Sequence, residues 1–134
     1  MEHYFEPAMT EDELRSISAI GLAHMGDAVY DLLVRRELCR SGKLTAGSLH
    51  KETVRHVAAT AQAAAARRIL PELRERELAA YKRGRNAHSH AAPKNCSEGD
   101  YHAATGLESL FGWLYLRGEE ERIEELFALI QEEA

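Results

Sequence analysis

The amino-acid sequence predicts an all-α fold, and three observations support this class. Apolar residues recur at helical spacing through most of the 134 residues. Thr10 with Glu13, and Ser97 with Asp100, have the spacing of capping boxes at helix N-termini. No segment alternates long enough with the two-residue period of a strand. Because no repeat or linker divides the chain, we expect one domain over residues 1–134 with six or seven helices.

The first half of the chain is predicted to hold a short helix, a long helix and a turn. The short helix begins after Thr10, and the long helix covers about residues 18–40 before Gly42 ends it. Residues 45–49 are predicted to form a turn or a short helix. The long helix is expected to bury one apolar stripe, made of Leu22, Met25, Val29, Leu32 and Leu33.

The second half is predicted to hold four more helices and one polar loop. Alanine is the strongest helix former, so residues 53–70 are expected to form a single helix that Pro71 ends. Another helix is expected over residues 72–83, followed by an ordered loop over residues 84–95. A helix over about residues 97–116 and a final amphipathic helix complete the chain. The final helix carries Ile123, Leu126, Phe127 and Ile130.

The composition is that of a globular domain. Hydrophobic residues make up 45% of the chain and charged residues 29%, which argues against a disordered protein. There is no apolar run of the ~20 residues that a membrane span needs, and no secretory signal is evident. Cys39 and Cys96 lack the spacing of a disulfide framework or a zinc site. We expect a reduced, cytoplasmic protein without a membrane partner.

The net charge of −5 is unevenly distributed. Residues 67–95 carry a local net charge of +5, whereas residues 117–134 carry −5. A polyanion responds to the local field of a protein rather than to its total charge. The acidic balance therefore does not exclude a nucleic-acid partner.

Two predicted helices each carry an acidic residue in an uncommon sequence context. On a helical wheel, Asp27 lies with His24 and Asp31 on the side opposite the apolar stripe. Glu108 is the only acid between Asp100 and Glu119, in a helix that is apolar nearly all round and is therefore expected to be buried.

A close crossing of these two helices would explain a glycine in each of them. Glycine costs roughly 1 kcal/mol in a helix interior, and the cost at Gly26 and Gly112 is offset if the two backbones touch. That crossing would bring Asp27 near Glu108. Two alternatives remain open from spacing alone: a solvated Asp beside a Glu that hydrogen-bonds an Arg or a Tyr, and a structural salt-bridge site.

Three motifs resemble the ribonuclease III family. The segment MGDAVYDLLVRREL is similar to its signature helix, in which the Asp after Gly binds magnesium, and ATGLESLFGWLYL resembles its second acidic helix. The loop RGRNAHSHAAPKN is similar to a stretch of one branch, Mini-ribonuclease III, which lacks a double-stranded RNA-binding domain. The larger enzymes carry further acids where this chain has Ile20, Ala23 and Thr105, and the Mini branch shares this reduction.

The resemblance implies an Mg²⁺ cofactor held by Asp27 and Glu108, which would also be the catalytic residues. Mg²⁺ prefers a few hard oxygen ligands together with water and substrate phosphate, and two carboxylates suit that preference. Thr105 is expected to be at most a water-mediated ligand. Asp31 is either a hydrogen-bond acceptor beside the site or a solvated helix acid. His24 is expected to pack or to face RNA, because magnesium disfavours imidazole.

The loop after residue 83 is the candidate RNA-binding segment. Clustered Arg, Asn and Lys side chains suit phosphate and 2′-hydroxyl contacts across the shallow minor groove of duplex RNA. The alternative is a solvated basic turn. His88 and His90 lack a third partner nearby, so a transition-metal site is not expected. The residues predicted to bind RNA are Arg83, Arg85, Asn86, Lys94 and Asn95.

The predicted function is a magnesium-dependent endoribonuclease that cleaves double-stranded RNA. The resemblance further implies a homodimer, maturation of the ends of the 23S ribosomal RNA precursor, and a large-subunit ribosomal protein as a partner. We expect Ile20 and Ala23 to lie at or near the subunit interface. The alternatives are an inactive RNA-binding or ribosome-assembly module with the same fold, and an all-α dimeric scaffold without a nucleic-acid role.

Overall fold

The computed structural model describes residues 3–7, 9–42, 45–87, 92 and 96–132. These residues form seven α-helices and one 3₁₀ turn, Leu70–Glu72, and contain no strand. The all-α prediction is therefore confirmed. The helices are α1 (Glu11–Arg15), α2 (Ala19–Ser41), α3 (Ala46–Val57), α4 (Ala59–Ile69), α5 (Glu75–Arg85), α6 (Glu98–Leu116) and α7 (Glu120–Glu132).

Helix α6 is the centre of the fold, and α2, α4, α5 and α7 pack around it. Every residue from Ala103 to Leu114 is buried except Glu108, which is half-buried. This burial follows from the apolar surface that the sequence gives α6 on nearly every side. Tyr30 of α2 makes edge-to-face contacts with Phe111 of α6, at 5.5 Å between ring centroids, and with Phe127 of α7, at 5.8 Å.

Helices α2 and α6 cross at two glycines, as the sequence predicts. A Cβ atom added to Gly26 would lie 1.6 Å from the carbonyl oxygen of Glu108. A Cβ added to Gly112 would lie 2.0 Å from the carbonyl oxygen of Leu22. Because any larger side chain would collide with backbone, only glycine permits this distance between the helices.

Polar caps define where most helices begin. Thr10 and Glu13 form the predicted capping box of α1. Ser97 accepts a hydrogen bond from the backbone N–H of Asp100 at the start of α6, and Ser18 caps α2 in the same way. Gly42 ends α2 with a φ of +67°, in the left-handed region that glycine adopts at little cost.

The prediction of a single helix over residues 53–70 is wrong. Ala58 is extended, with φ −61° and ψ 148°, and it separates α3 from α4. The break lets α3 pack on α2 while α4 packs on α6. Alanine stabilises either helix equally well, so local propensity carries no signal for the break, which tertiary packing decides.

Leu32 does not lie on the buried stripe predicted for α2. Its side chain is 63% exposed, whereas Leu22 and Val29 are buried. The contact with α6 turns the buried side of α2 toward Gly26 and Tyr30. Leu32 lies outside that buried side. The spacing of the leucines alone could not show which side of α2 would face α6.

A buried ion pair joins α5 to α7. Arg122 donates from Nε to Oε2 of Glu77 at 2.8 Å and from Nη2 to Oε1 at 2.9 Å. The same guanidinium donates to the carbonyl oxygen of Glu72 at 2.7 Å, and Glu77 also accepts the backbone N–H of Arg74. This two-point geometry satisfies both charges away from water.

None of the described helices has both the length and the apolar composition that crossing a membrane would require.

Substituting Gly26 with Ala is expected to destabilise the protein strongly, although the same change in an ordinary helix interior is stabilising. The new methyl group would force α2 away from α6, and overpacking of this kind costs about 1–3 kcal/mol or more. Thermal unfolding followed by circular dichroism measures the change. Gly99→Ala is the matched control, because nothing lies within 4 Å of a Cβ at that position. Equal melting temperatures for the two variants would contradict the crossing.

Candidate active site

The structure brings Asp27 and Glu108 together. Asp27 follows Gly26 on α2, and the backbone of Gly26 meets the carbonyl of Glu108 on α6. The two carboxyl groups lie close enough for the charge of Asp27 to raise the pKa of Glu108. Asp27 is exposed and Glu108 is half-buried, so the pair opens to solvent on the Asp27 side. The predicted convergence of these two acids is confirmed.

The environment of Glu108 favours its protonated form. Burial, and after it the negative charge and the hydrogen bond of Asp27, raise the pKa of Glu108 to about 8. The Gln62 amide acts in the opposite direction. Near neutral pH Glu108 therefore keeps its proton when no cation is bound.

Gln62 of α4 is a part of the site that sequence reasoning missed. Its side chain is 1% exposed, and its amide lowers the pKa of Glu108. A sequence signal did exist: Gln62 is a polar residue in the run ATAQAAAA, one position before Ala63 and four before Ala66, which are both fully buried. A polar residue on the buried face of an alanine-rich helix needs a partner inside the protein.

The other polar residues near the two acids have different roles. Asp31 pairs with Arg35 across one turn of α2 at 3.1 Å, as a helix-surface acid does, and His24 is exposed. Thr105 is buried, and its hydroxyl donates to the carbonyl of Tyr101 at 3.1 Å. Within the described ranges, no group of three or more His, Cys, Asp or Glu residues is placed to hold a metal.

The donor set fits a hard divalent cation such as Mg²⁺. Two carboxylates supply oxygen ligands, and Mg²⁺ commonly keeps several water or phosphate ligands beside one or two protein carboxylates. No cationic side chain among the described residues contributes to the raised pKa of Glu108. A bound cation would supply a positive charge and replace the proton.

The described RNA-binding candidates lie at the end of α5. Gly84 packs against Ser109 and the carbonyl of Thr105, so this end lies beside the Glu108 segment of α6. Arg83 lines a groove with Arg76 and Trp113.

The two arginines beside Gly84 have different surroundings. The guanidinium of Arg85 lies 5.9 Å from the ring centre of Tyr81, and Asn86 is exposed. Lys94, Asn95, His88 and His90 are outside the described residues.

Metal-free protein is expected to lose stability as pH rises from about 5 to about 8. The folded protein keeps a proton on Glu108 up to a pKa of about 8, whereas the ordinary pKa is 4.5. The folded state therefore binds more protons in this window, and the free energy of unfolding falls as pH rises.

The variant Glu108→Gln lacks this titration. In EDTA, its melting temperature should exceed that of the unsubstituted protein, by an amount that grows as the pH rises above 6. Added Mg²⁺ should raise the melting temperature of the unsubstituted protein only. Parallel pH profiles for the two proteins would contradict the pKa of Glu108.

Comparison with known proteins agrees with this arrangement. The family profile of the ribonuclease III domain matches residues 21–119, which include both acids. Mini-ribonuclease 3 of Clostridium tetani is 38% identical over 130 residues, covering 96% of this chain and 86% of that protein. Mini-ribonuclease 3 of Brevibacillus brevis is 44% identical over 117 residues, covering 84% and 87%.

The fold is also similar to a crystal structure of a Fusobacterium nucleatum protein. The TM-score is 0.78 with 28% sequence identity, and the match covers 84% of this chain and 92% of the other. The identities to the curated relatives and the extent of the family match show the family directly. The chain belongs to the ribonuclease III family, in its Mini-ribonuclease 3 group, and is an endoribonuclease of that type.

Proposed function

We propose that this protein is a magnesium-dependent endoribonuclease that cleaves double-stranded RNA at a site formed by Asp27 and Glu108. The observation that carries the proposal is the convergence of the two carboxyl groups where α2 and α6 touch. Family membership supports duplex RNA as the substrate class. The whole chain, residues 1–134, acts as one ribonuclease III-like catalytic domain.

Asp27 and Glu108 would hold the Mg²⁺ ion. When bound, Mg²⁺ supplies a water that is nucleophilic near neutral pH and a positive charge for the developing oxyanion. The crossing of α2 and α6 fixes the two carboxylates at the end of two rigid elements, so the site is organised before substrate binds. A bound cation would favour the ionised form of Glu108 and displace its proton.

RNA contacts are assigned to Arg83, Arg85, Asn86, Lys94 and Asn95. The placement of the end of α5 beside the Glu108 segment supports this assignment. Arg83 and Asn86 are exposed and can reach a phosphate or a 2′-hydroxyl. Because Arg83 and Arg85 have different surroundings, we assign them to different phosphates of the duplex.

The active form is proposed to be a homodimer, because cutting both strands requires two sites. Four exposed residues spaced four apart run along α2 beside Asp27: Ile20, His24, Ala28 and Leu32. Ile20 is 38% and Leu32 is 63% exposed, and such a stripe suits a two-fold interface. Ala23 is 6% exposed within one protomer, so it offers little surface for a direct contact, and its place near the interface stays a prediction.

Sedimentation should show twice the monomer mass for the unsubstituted protein, and a lower mass for Leu32→Glu.

The proposed biological substrate is the 23S ribosomal RNA precursor, whose ends the enzyme matures in the cytoplasm with a large-subunit ribosomal protein as a partner. Similarity to Mini-ribonuclease 3 proteins supports this assignment.

The alternative is a ribosome-assembly module that binds RNA without cutting it. The observation that favours it is the short donor set: Ala23 is buried, and the Thr105 hydroxyl already donates to the backbone.

Asp27→Asn and Glu108→Gln are each expected to abolish cleavage of long duplex RNA while RNA binding is retained. Both changes preserve side-chain volume and remove a charge that holds the cation, and a two-carboxylate site has no spare ligand. Cleavage is measured on gels at several Mg²⁺ concentrations, and binding by filter retention without metal.

Asp31→Asn is the matched control, because Asp31 lies one turn away on the same helix and pairs with Arg35. It should cleave at close to the unsubstituted rate. Full activity of Asp27→Asn at moderate Mg²⁺ would refute the site, and RNA binding without any cleavage by the unsubstituted protein would favour the assembly module.

Replacing Arg83 and Arg85 together with Ala should weaken duplex RNA binding without a large change in melting temperature. Each lost phosphate contact reduces the slope of log affinity against log salt by roughly 0.7–0.9. Arg55→Ala is the control, because Arg55 is exposed on α3 and pairs only locally with Glu52. An unchanged slope in the double variant would place the RNA elsewhere on the surface.

A further inference from the structure

We propose that Gln62 is a positioning residue that holds the Glu108 carboxylate in the orientation needed to bind the metal. The inference rests on the proposed function of the site. It adds a third helix, α4, to the two that carry the acids. Gln62 acts through Glu108 and does not itself contact the metal or the RNA.

The burial of Gln62 is the first observation. Its side chain is 1% exposed, and Ala63 and Ala66 beside it on α4 are fully buried. The amide interacts with the Glu108 carboxyl and lowers its pKa. The carbonyl oxygen Oε1 is buried and has no hydrogen-bond partner within the part of the chain that the structure describes.

The orientation of the amide follows from the chemistry of the two groups. An ionised carboxylate, the form of Glu108 that binds a cation, only accepts hydrogen bonds, whereas an amide donates through Nε2 and accepts through Oε1. Gln62 therefore meets the ionised Glu108 with Nε2, and Oε1 stays unpaired in the core. The carboxylate gains a fixed donor on one side and keeps its other side for the cation.

Packing alone does not account for this arrangement. An unpaired buried carbonyl is destabilising by about 1–3 kcal/mol, and an apolar side chain of similar shape would avoid that loss. Methionine has nearly the same length and no group that needs a partner. A role in holding Glu108 explains an amide at this position, because residues that hydrogen-bond a metal-ligating carboxylate orient it.

Direct ligation by Gln62 is not supported, because Oε1 is sealed from solvent. Asp27 is the exposed member of the site, whereas Glu108 is half-buried and Gln62 is buried. Substrate and cation therefore approach from the Asp27 side. The effect of Gln62 passes through the position of the Glu108 side chain.

Gln62→Met tests the inference in the full chain. Mn²⁺ binding to the RNA-free protein, followed by electron paramagnetic resonance, should weaken about tenfold or more. The melting temperature of metal-free protein should stay the same or rise. The Mg²⁺ concentration for half-maximal cleavage should increase, while kcat at saturating Mg²⁺ recovers most of its value.

Gln62→Asn is the second variant, and it keeps the amide but withdraws it from Glu108 by one methylene. It should lose metal affinity as Gln62→Met does, so the test survives if one variant fails to fold. Thr53→Val is the control. It removes a buried hydroxyl that donates to the carbonyl of Leu49 at 2.8 Å on α3, and metal affinity should not change.

Two outcomes separate this inference from the proposed function. If the unsubstituted protein binds Mn²⁺ and cleaves RNA, and both Gln62 variants bind Mn²⁺ equally well, Gln62 has only a packing role and the inference is overturned. If the unsubstituted protein neither binds Mn²⁺ nor cleaves RNA, the proposed function fails and the inference fails with it.

Discussion

The backbone contact between α2 and α6 is the constraint on which the rest of the structure depends. Gly26 on α2 and Gly112 on α6 let the two helices approach closely. The backbone at each glycine then lies against a carbonyl group of the other helix. That distance lets Tyr30 reach Phe111 in the core, and it places Asp27 against Glu108 at the surface. A side chain of any size at either glycine would separate the acids and open the core together. Stability and the site therefore rest on the same two residues.

The same closeness leaves the site electrostatically incomplete. Two carboxylates held together, one of them half-buried, favour sharing a proton, which is why the pKa of Glu108 is raised to about 8 by burial and by Asp27. The packing of the fold offsets the unfavourable free energy of holding two acids close together. A bound cation would reduce that unfavourable free energy. Helix α4 contributes through the Gln62 amide, which lowers the pKa of Glu108. Among the described residues, no cation offsets the charge of the two acids, so a bound cation suits the arrangement.

The sequence predicted the central features of the fold because their signals are local. Thr10, Ser97 and Gly42 mark helix ends through their own side chains or backbone, and an apolar helix with one acid indicated α6 and Glu108. The break at Ala58 and the exposure of Leu32 could not be predicted, because both depend on which face meets a neighbouring helix. Gln62 was missed for a related reason. Its partner lies 46 positions along the chain, and no spacing rule on one helix relates the two.

The ion pair of Glu77 and Arg122 has a consequence for acid conditions. Burial alone would raise the pKa of Glu77, but the hydrogen bonds from Arg122 and from the backbone of Arg74 lower it below the ordinary 4.5. A lowered pKa means that the pair stabilises the fold above about pH 4.5, and that this contribution is lost as pH falls through the folded-state pKa. Because the pair attaches α7 to α5, protonation of Glu77 would weaken the attachment of the C-terminal helix, whose Leu126 and Ile130 are buried in the core.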